Sequence, residues 1–154
     1  MDDEDIADFI LGCLDDYSVP AEAVCLEITE TVAVRSLLKV SRVIQRLRAA
    51  GCRIALDDFG AGMSSFGYLK NLPVDVIKID GSFIREVDED PMSRTIVSAI
   101  VQIGHQRGLK VVAEWVDDEA IRDVLWTLGV DYGQGFVLSM PEACGAQSAA
   151  HFIF

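Results

Sequence analysis

The sequence has few basic residues and no long apolar run. Lysine and arginine number 13 against 25 aspartate and glutamate residues, so the formal net charge is −12. Binding to duplex nucleic acid needs a basic face that displaces counterions from phosphates, and this composition excludes one. No stretch of 18 apolar residues occurs, which excludes a membrane span in this segment. Any phosphate group that the chain handles is therefore expected to come with a metal cation.

Paired cysteines and known nucleotide-binding loops are also missing. Cys13, Cys25, Cys52 and Cys144 form no Cys-x-x-Cys pair, so we expect buried or incidental thiols, not a disulfide framework or a zinc site. Neither the GxGxxG pattern nor the GK[ST] end of a P-loop is found. The first residues, Met-Asp-Asp-Glu-Asp, are acidic where a signal peptide is basic, so we expect a cytoplasmic location.

The sequence does contain an alternation of helical and strand patterns. Apolar residues at helical spacing predict helices over 2–17, 32–50, 90–108 and 118–128, with Asp90-Pro91 as a helix start. Short β-prone runs predict strands over 23–29, 53–58, 74–80, 110–114 and 131–137. Most of these strands are continuous apolar runs, which is typical of a parallel sheet covered by helices on both faces. The sequence therefore predicts an α/β fold.

Polar side chains stand near the end of every predicted strand. In chain order they are Glu27 with Glu30, Asp57 with Asp58, Lys78 with Asp80, Glu114, and Gln134. The carboxyl ends of parallel strands share one edge of a sheet, where ligands of such folds bind. A single carboxylate there is commonly a helix N-cap, but its recurrence on most of the strands favours a functional site.

Converging carboxylates repel one another unless cations lie between them. Oxygen ligands alone suit Mg²⁺ or Mn²⁺, and neither His105 nor His151 lies at a strand end to favour zinc. A turn at Phe59-Gly60 would let Asp57 and Asp58 face the same pocket. A nearby lysine can orient water or neutralise a phosphate oxygen, so metal-assisted phosphoester hydrolysis is the predicted reaction class. A Schiff base formed by the strand lysine is the alternative chemistry.

A glycine-rich loop, 60–67, follows the two aspartates directly. Glycines permit close backbone approach to a ligand. The loop is predicted to act as a mobile lid or a brace for the metal site, with a plain flexible connector as the alternative.

The residues resemble the EAL domain of bacterial cyclic di-GMP phosphodiesterases across roughly 5–141. The matching segments are Leu26-Glu-Ile-Thr-Glu-Thr31, Ala55-Leu-Asp-Asp-Phe-Gly-Ala-Gly62 with Ser64-Ser65, Leu72-Pro-Val-Asp-Val-Ile-Lys-Ile-Asp80, Val112-Ala-Glu114, Gly129-Val-Asp-Tyr-Gly-Gln-Gly-Phe136 and Pro141. The resemblance implies a modified (β/α)₈ TIM-barrel-like fold, and hydrolysis of one phosphodiester bond of cyclic di-GMP to linear pGpG with two Mg²⁺ or Mn²⁺ ions.

The resemblance also implies a role for each matching polar residue. Glu27, Asp57 and Asp58 are similar to the family's metal ligands, Lys78 to the lysine that holds the attacking water, Glu114 to the glutamate that serves as base or supports the second metal, and Gln134 to the glutamine near the substrate. The loop 59–68 resembles one that couples substrate or metal binding to dimer contacts.

Two residues depart from the family pattern. The family reads Ala-Glu-Gly-Val-Glu where this chain has Ala113-Glu-Trp-Val-Asp117, so Trp115 replaces a glycine and Asp117 is one methylene shorter than glutamate. These departures favour the alternative of a degenerate EAL module that binds cyclic di-GMP or a protein partner without hydrolysis.

The resemblance further implies a domain truncated at its N-terminus. The family's Glu-Ala-Leu strand is expected upstream, because Glu22-Ala23-Val24 is predicted to be only a helix-to-strand connection. We therefore expect 1–141 to be the C-terminal portion of an EAL domain and 142–154 a tail. The chain by itself is predicted to form homo-oligomers and to be inactive, and regulatory domains of GGDEF, PAS or receiver type are expected elsewhere in the protein.

Overall fold

The structure is a computed structural model that describes residues 3–62 and 66–138. The chain divides into two compact units, one ending at Val76 and one beginning at Ile77. Strands alternate with helices in both units, and the described residues contain five strands. Pro141 and the predicted tail 142–154, which contains Cys144, lie outside the described residues.

The first unit is built on two parallel strands and the helices that join them. Its elements are α1 (Asp3–Asp16), a 3-10 turn (Ala21–Ala23), β1 (Cys25–Thr29), α2 (Glu30–Arg35), α3 (Leu37–Ala49), β2 (Arg53–Phe59) and a 3-10 helix (Phe66–Asn71). β1 and β2 pair in parallel, with Cys25 opposite Arg53 and Thr29 opposite Asp57. The segment containing Glu22-Ala23-Val24 is a connection, as predicted.

The helix predicted over 32–50 is in fact two helices. The backbone leaves the helical region at Ser36, where φ is −142° and ψ is 47°, and α3 begins at the next residue. α2 is rich in β-branched residues, which lower helix propensity and make an early end favourable. Within α3, Leu38 is 79% exposed whereas Leu47 is buried. Their separation of nine positions corresponds to about two and a half turns, which places the two side chains on opposite sides of α3.

The second unit continues the alternation. Its elements are β3 (Val76–Ile79), of which only Val76 belongs to the first unit, α4 (Gly81–Ile84), α5 (Pro91–Gln106), β4 (Lys110–Ala113), α6 (Glu119–Leu128) and β5 (Tyr132–Gly133). β3, β4 and β5 are neighbours in that order, and β4 pairs in parallel with β5. Asp90 caps α5 by accepting hydrogen bonds from the Met92 and Ser93 backbone N–H groups, which confirms the predicted helix start.

The last strand is shorter than predicted. The sequence indicated 131–137, whereas β5 holds only Tyr132 and Gly133. After Gly133 the Gln134 N–H donates to the Ala113 carbonyl, and the Gln134 carbonyl accepts from the Val116 N–H. The chain thus follows the segment after β4 and leaves the strand ladder. α4 and the two 3-10 helices were not predicted, because they are too short to show a helical period.

Apolar side chains from the strands and the inner helix faces form the buried core. Its largest fully buried members are Ile44, Ile54, Leu56, Phe59, Leu69 and Leu72 in the first unit, and Ile77, Ile79, Ile84, Val87, Ile100 and Leu125 in the second. None of the helices in the described part of the chain has the length and apolar character needed to cross a membrane.

The three described cysteines are free, in agreement with the absence of a disulfide framework. Cys52 is buried, and burial together with the nearby Glu22 carboxylate raises the pKa of its thiol. Cys25 is exposed at the start of β1, so of the two expectations, a buried or an incidental thiol, the second applies to this residue.

Candidate functional site

Two adjacent carboxylates lie near the end of β2 in the first unit, just before Phe59. Asp57 and Asp58 each offer a carboxylate oxygen within 4.8 Å of the other. Successive strand residues normally point to opposite faces, but Asp58 has φ of 54°, which breaks the alternation. The Ala61 N–H donates to the Asp58 carbonyl at 3.3 Å, so a turn has Phe59 and Gly60 at its centre, as predicted. The Asp58 N–H also donates to Asp57 Oδ1 at 3.0 Å, which fixes the first carboxylate.

Glu27 stands on the neighbouring strand. It is exposed on β1 opposite Ala55, two residues before the Thr29 that lies opposite Asp57. Residues two apart on a strand share a face, so Glu27 and Thr29 lie on the same side of β1. Glu27 on β1 and the two aspartates on β2 thus place carboxylate groups on neighbouring strands. Oxygen ligands of this kind fit Mg²⁺ or Mn²⁺.

Glu30 is a buried carboxylate to which the sequence assigned no role. It is only 4% exposed, at the first position of α2. Its two oxygens accept hydrogen bonds from the Gly60 backbone N–H at 2.9 Å and from the Tyr68 hydroxyl at 2.8 Å. Burial and this bond to a carboxylate raise the pKa of Tyr68. An ionisable residue directly after the predicted strand 23–29 was the signal available in the sequence.

Aromatic contacts hold the same loop from its inner side. Phe59 is fully buried, and its ring stacks on Phe66 at a centroid distance of 5.4 Å and lies 6.5 Å from Tyr68. Residues 63–65 of the predicted loop 60–67 lie outside the described residues. The described flanks are tied to β2 and α2 on both sides, which favours the brace over the flexible connector.

Lys78 and Glu114 form an ion pair in the second unit. Lys78 Nζ lies 2.7 Å from Glu114 Oε1, and the side chains are 8% and 16% exposed. Glu114 follows β4 directly, and the carboxylate is engaged with the lysine. An ammonium group bound to a carboxylate is not the neutral amine that imine formation needs, so the geometry speaks against the Schiff-base alternative. Asp80, by contrast, is a helix N-cap that accepts from the Ser82 N–H at 2.8 Å.

Gln134 lies beside the segment that carries Glu114. Its backbone bonds Ala113 and Val116, the residues that flank Glu114 and Trp115, at 2.8 and 3.1 Å. The next residue is Gly135, where an added Cβ would lie 2.3 Å from the Val116 carbonyl oxygen. Only glycine permits this close approach. The Gln134 side chain is exposed after β5.

Trp115, the residue that departs from the family's glycine, occupies a conformation that favours glycine. Its φ is 59°, and left-handed backbone costs an L-residue about 1 kcal/mol. The indole lies against Gly81, where an added Cβ would come within 2.1 Å of Trp115 Cδ1. The Arg85 guanidinium carbon lies 4.0 Å from the ring centroid, in cation–π geometry. The large side chain thus packs on α4.

Asp117, the second departure, keeps a contact despite its shorter side chain. Its Oδ1 accepts a hydrogen bond from the Phe136 backbone N–H at 3.3 Å. This bond links the segment after β4 to the segment after β5.

The chain is similar to known proteins over most of its length. The EAL domain family matches residues 1–141. The chain is 39% identical over 126 residues to the cyclic di-GMP phosphodiesterase PdeB of Shewanella oneidensis, and 38% identical over 134 residues to PdeA of Borreliella burgdorferi. These alignments cover 82% and 87% of this chain, but the chain spans only 15% and 20% of the two relatives' lengths.

Solved structures of such proteins are also similar to this chain. The phosphodiesterase PaMucR in complex with c-di-GMP superposes with a TM-score of 0.84 at 40% identity, over 89% of this chain and 56% of that one. The Klebsiella pneumoniae BlrP1 complex with manganese and cyclic di-GMP superposes with a TM-score of 0.80 at 31% identity, over 86% of this chain and 34% of that one.

The strand order and the carboxylate-rich strand ends define an α/β domain of the TIM-barrel-like class, which confirms the predicted fold class. Within that class, the chain belongs to the EAL domain family. Its relatives include cyclic di-GMP phosphodiesterases, as the sequence resemblance implied.

Proposed function

We propose that this chain carries catalytic residues of a cyclic di-GMP-specific phosphodiesterase that, as a whole protein, hydrolyses cyclic di-GMP to linear pGpG. The observation that carries the proposal is the Asp57–Asp58 pair, with oxygens within 4.8 Å of each other at a strand end inside the family-matched region. Such a carboxylate pair is costly in a protein unless cations or hydrogen bonds balance its charge.

Glu27, Asp57 and Asp58 are proposed to hold two Mg²⁺ or Mn²⁺ ions. Their oxygen-only donor set fits these hard cations. Bound ions of this kind act as Lewis acids and lower the pKa of a coordinated water. The manganese in the BlrP1 structure supports a metal requirement in the family, whereas the identity of the ion in this chain is part of the proposal.

Lys78 and Glu114 are proposed to handle the attacking water. The Lys78 ammonium donates a hydrogen bond to the water and offsets negative charge on the phosphate oxygens. Glu114, already 2.7 Å from Lys78, accepts the water proton as the oxygen adds to phosphorus in line with the leaving 3′-oxygen. Gln134 is proposed to contact the substrate.

The test is Mn²⁺-dependent hydrolysis of cyclic di-GMP by the whole protein, with pGpG separated by chromatography. Asp57→Asn keeps the side-chain volume and removes the charge, so the rate is expected to fall by at least about 100-fold. Asp123→Asn is the matched control, because that carboxylate is 72% exposed on α6 and pairs only with Arg122 in the described contacts. A rate for Asp57→Asn within about threefold of the parent contradicts the metal-ligand assignment.

The second candidate is an EAL module that binds cyclic di-GMP or a protein partner without hydrolysing the nucleotide. The strained Trp115 favours it, because the family has glycine there. Calorimetric binding of cyclic di-GMP by the whole protein, with no pGpG formed in excess Mn²⁺, would select this candidate. Homo-oligomers, regulatory domains of GGDEF, PAS or receiver type, inactivity of the chain alone and a cytoplasmic location stay predictions from the sequence.

A further inference from the structure

Trp115 occupies an unusual position for so large a side chain. It directly follows Glu114 and has φ of 59°, a conformation in which a tryptophan is strained. Nevertheless the indole is placed against a residue without a Cβ, Gly81, and under the guanidinium of Arg85. Two independent features of α4 therefore accommodate this one ring.

The two ends of this contact lead to the two members of the ion pair. α4 begins with Gly81, three residues after Lys78 on β3, and Arg85 caps its end. Trp115 is the direct neighbour of Glu114. On its other side, the Glu114–Trp115 segment is held by the backbone of Gln134, which bonds Ala113 and Val116. Through its contacts with Gly81 and Arg85, the indole connects the segment after β4 to the segment after β3.

We propose that Trp115 is a positioning residue: its indole, seated on Gly81 and stacked by Arg85, fixes the backbone at Glu114 and so holds the Glu114 carboxylate against Lys78. Gly81 is required by this arrangement, because an added Cβ would lie 2.1 Å from Cδ1 and 2.6 Å from Nε1 of the indole. The consequence for hydrolysis rests on the proposed function, but the contact itself does not.

The test reads the ion pair directly. The chain has four lysines, so a spectrum of ¹⁵N-labelled lysine ammonium groups resolves Lys78, assigned by its loss in Lys78→Met. In the parent chain, solvent exchange of the Lys78 ammonium protons is expected to be slow, because the group is buried and paired. Gly81→Ala and Trp115→Gly are each expected to raise that exchange rate about tenfold. Trp126→Phe, which changes a tryptophan that is 62% exposed on α6, is the matched control and leaves the rate unchanged.

The double variant tests the mechanism. Gly81→Ala acts by displacing the indole, so adding it to Trp115→Gly raises the exchange rate no further. Equal effects of Gly81→Ala in both backgrounds, or parent-like exchange in both single variants, would overturn the proposal. Arg85 is exposed, so Arg85→Gln is expected to fold even if the other variants lose structure. It removes the guanidinium from the indole, and the exchange rate of the Lys78 ammonium protons is expected to rise severalfold.

An activity measurement separates this inference from the proposed function. If the whole protein hydrolyses cyclic di-GMP, Gly81→Ala lowers kcat and leaves KM nearly unchanged, since the substrate-binding residues are untouched. If it hydrolyses none, the proposed phosphodiesterase fails, while a changed Lys78 exchange rate still supports the positioning role of Trp115.

Discussion

The Tyr68 hydroxyl donates a hydrogen bond of 2.8 Å to Glu30, a residue 38 positions away in the chain. The other Glu30 oxygen accepts from the Gly60 N–H, so one buried carboxylate fastens both described flanks of the glycine-rich loop. Asp57 and Asp58 immediately precede this loop. A change at Glu30 is therefore expected to reach the aspartates through the backbone and not through direct contact.

Glu30→Gln tests this fastening. Glutamine keeps the shape but removes the charge: its oxygen can accept from the Gly60 N–H and its amide can donate to the Tyr68 oxygen, so two charge-assisted hydrogen bonds become weaker neutral ones. The free energy of unfolding is expected to fall by about 2 kcal/mol in urea titrations. Tyr68→Phe removes one bond and costs about 1 kcal/mol. Tyr17→Phe, at a residue that is 80% exposed, is the control and stays within about 0.5 kcal/mol of the parent. Equal stability of all three variants contradicts the fastening role.

Alkaline pH probes the same bond. The pKa of Tyr68 is raised by burial and by its hydrogen bond to the Glu30 carboxylate. Because the folded state holds this proton more tightly, its contribution to stability is complete below the unfolded-state pKa near 10 and is lost as pH rises through the folded-state value. Stability of the parent is expected to fall above about pH 10, with a shallower fall in Tyr68→Phe. The measurement is urea unfolding at a series of pH values. If the free energy of unfolding falls equally steeply with pH in the parent and in Tyr68→Phe, the titration of Tyr68 does not explain the loss of stability.

Local signals made the helix ends predictable. Asp90-Pro91 is a cap followed by a proline at the first helical turn, and the structure shows both. Gly129, the residue after α6, has φ of 83°, as a glycine at a helix end commonly does. The carboxylates and the lysine at strand ends were also found, because their chemistry is visible in the sequence wherever a strand stops.

Other features depend on contacts that the sequence does not display. The break at Ser36 and the two-residue β5 are decided by packing and by the backbone bonds of Gln134, so periodicity could not locate them. Glu30 was noticed, but its partners lie 30 and 38 residues away. The placement of Trp115 on Gly81 likewise joins residues from different elements.

Asp131 gives a prediction for acid pH. Burial alone would raise the pKa of its carboxyl, but hydrogen bonds from Lys110 Nζ, the Val111 N–H and His105 outweigh burial and lower it. A lowered pKa contributes stability above the unfolded-state value near 3.9 that is lost as pH falls through the folded-state value. Asp131→Asn is therefore expected to show a smaller loss of stability below about pH 4 than the parent. Thermal melts across this range provide the measurement, and Asp123→Asn serves as an exposed control. Parallel acid profiles of Asp131→Asn and the parent are the contradicting result.

The Lys78–Glu114 pair allows stability and catalysis to be separated. Removing one partner of a largely buried ion pair leaves the other charge without its counter-charge, so Lys78→Met or Glu114→Gln alone is expected to cost on the order of 3 kcal/mol. The double variant replaces the pair by neutral groups, and it is expected to recover much of that loss.

Catalysis behaves differently under the proposed function, because both side chains act on the water. Each single variant and the double variant should lose at least about 100-fold in turnover of cyclic di-GMP by the whole protein. Urea unfolding and pGpG formation, measured on the same preparations, distinguish a structural role of the ion pair from a catalytic one. A double variant that regains turnover together with stability would show that the pair is structural, and the catalytic assignment of Lys78 and Glu114 would then be wrong.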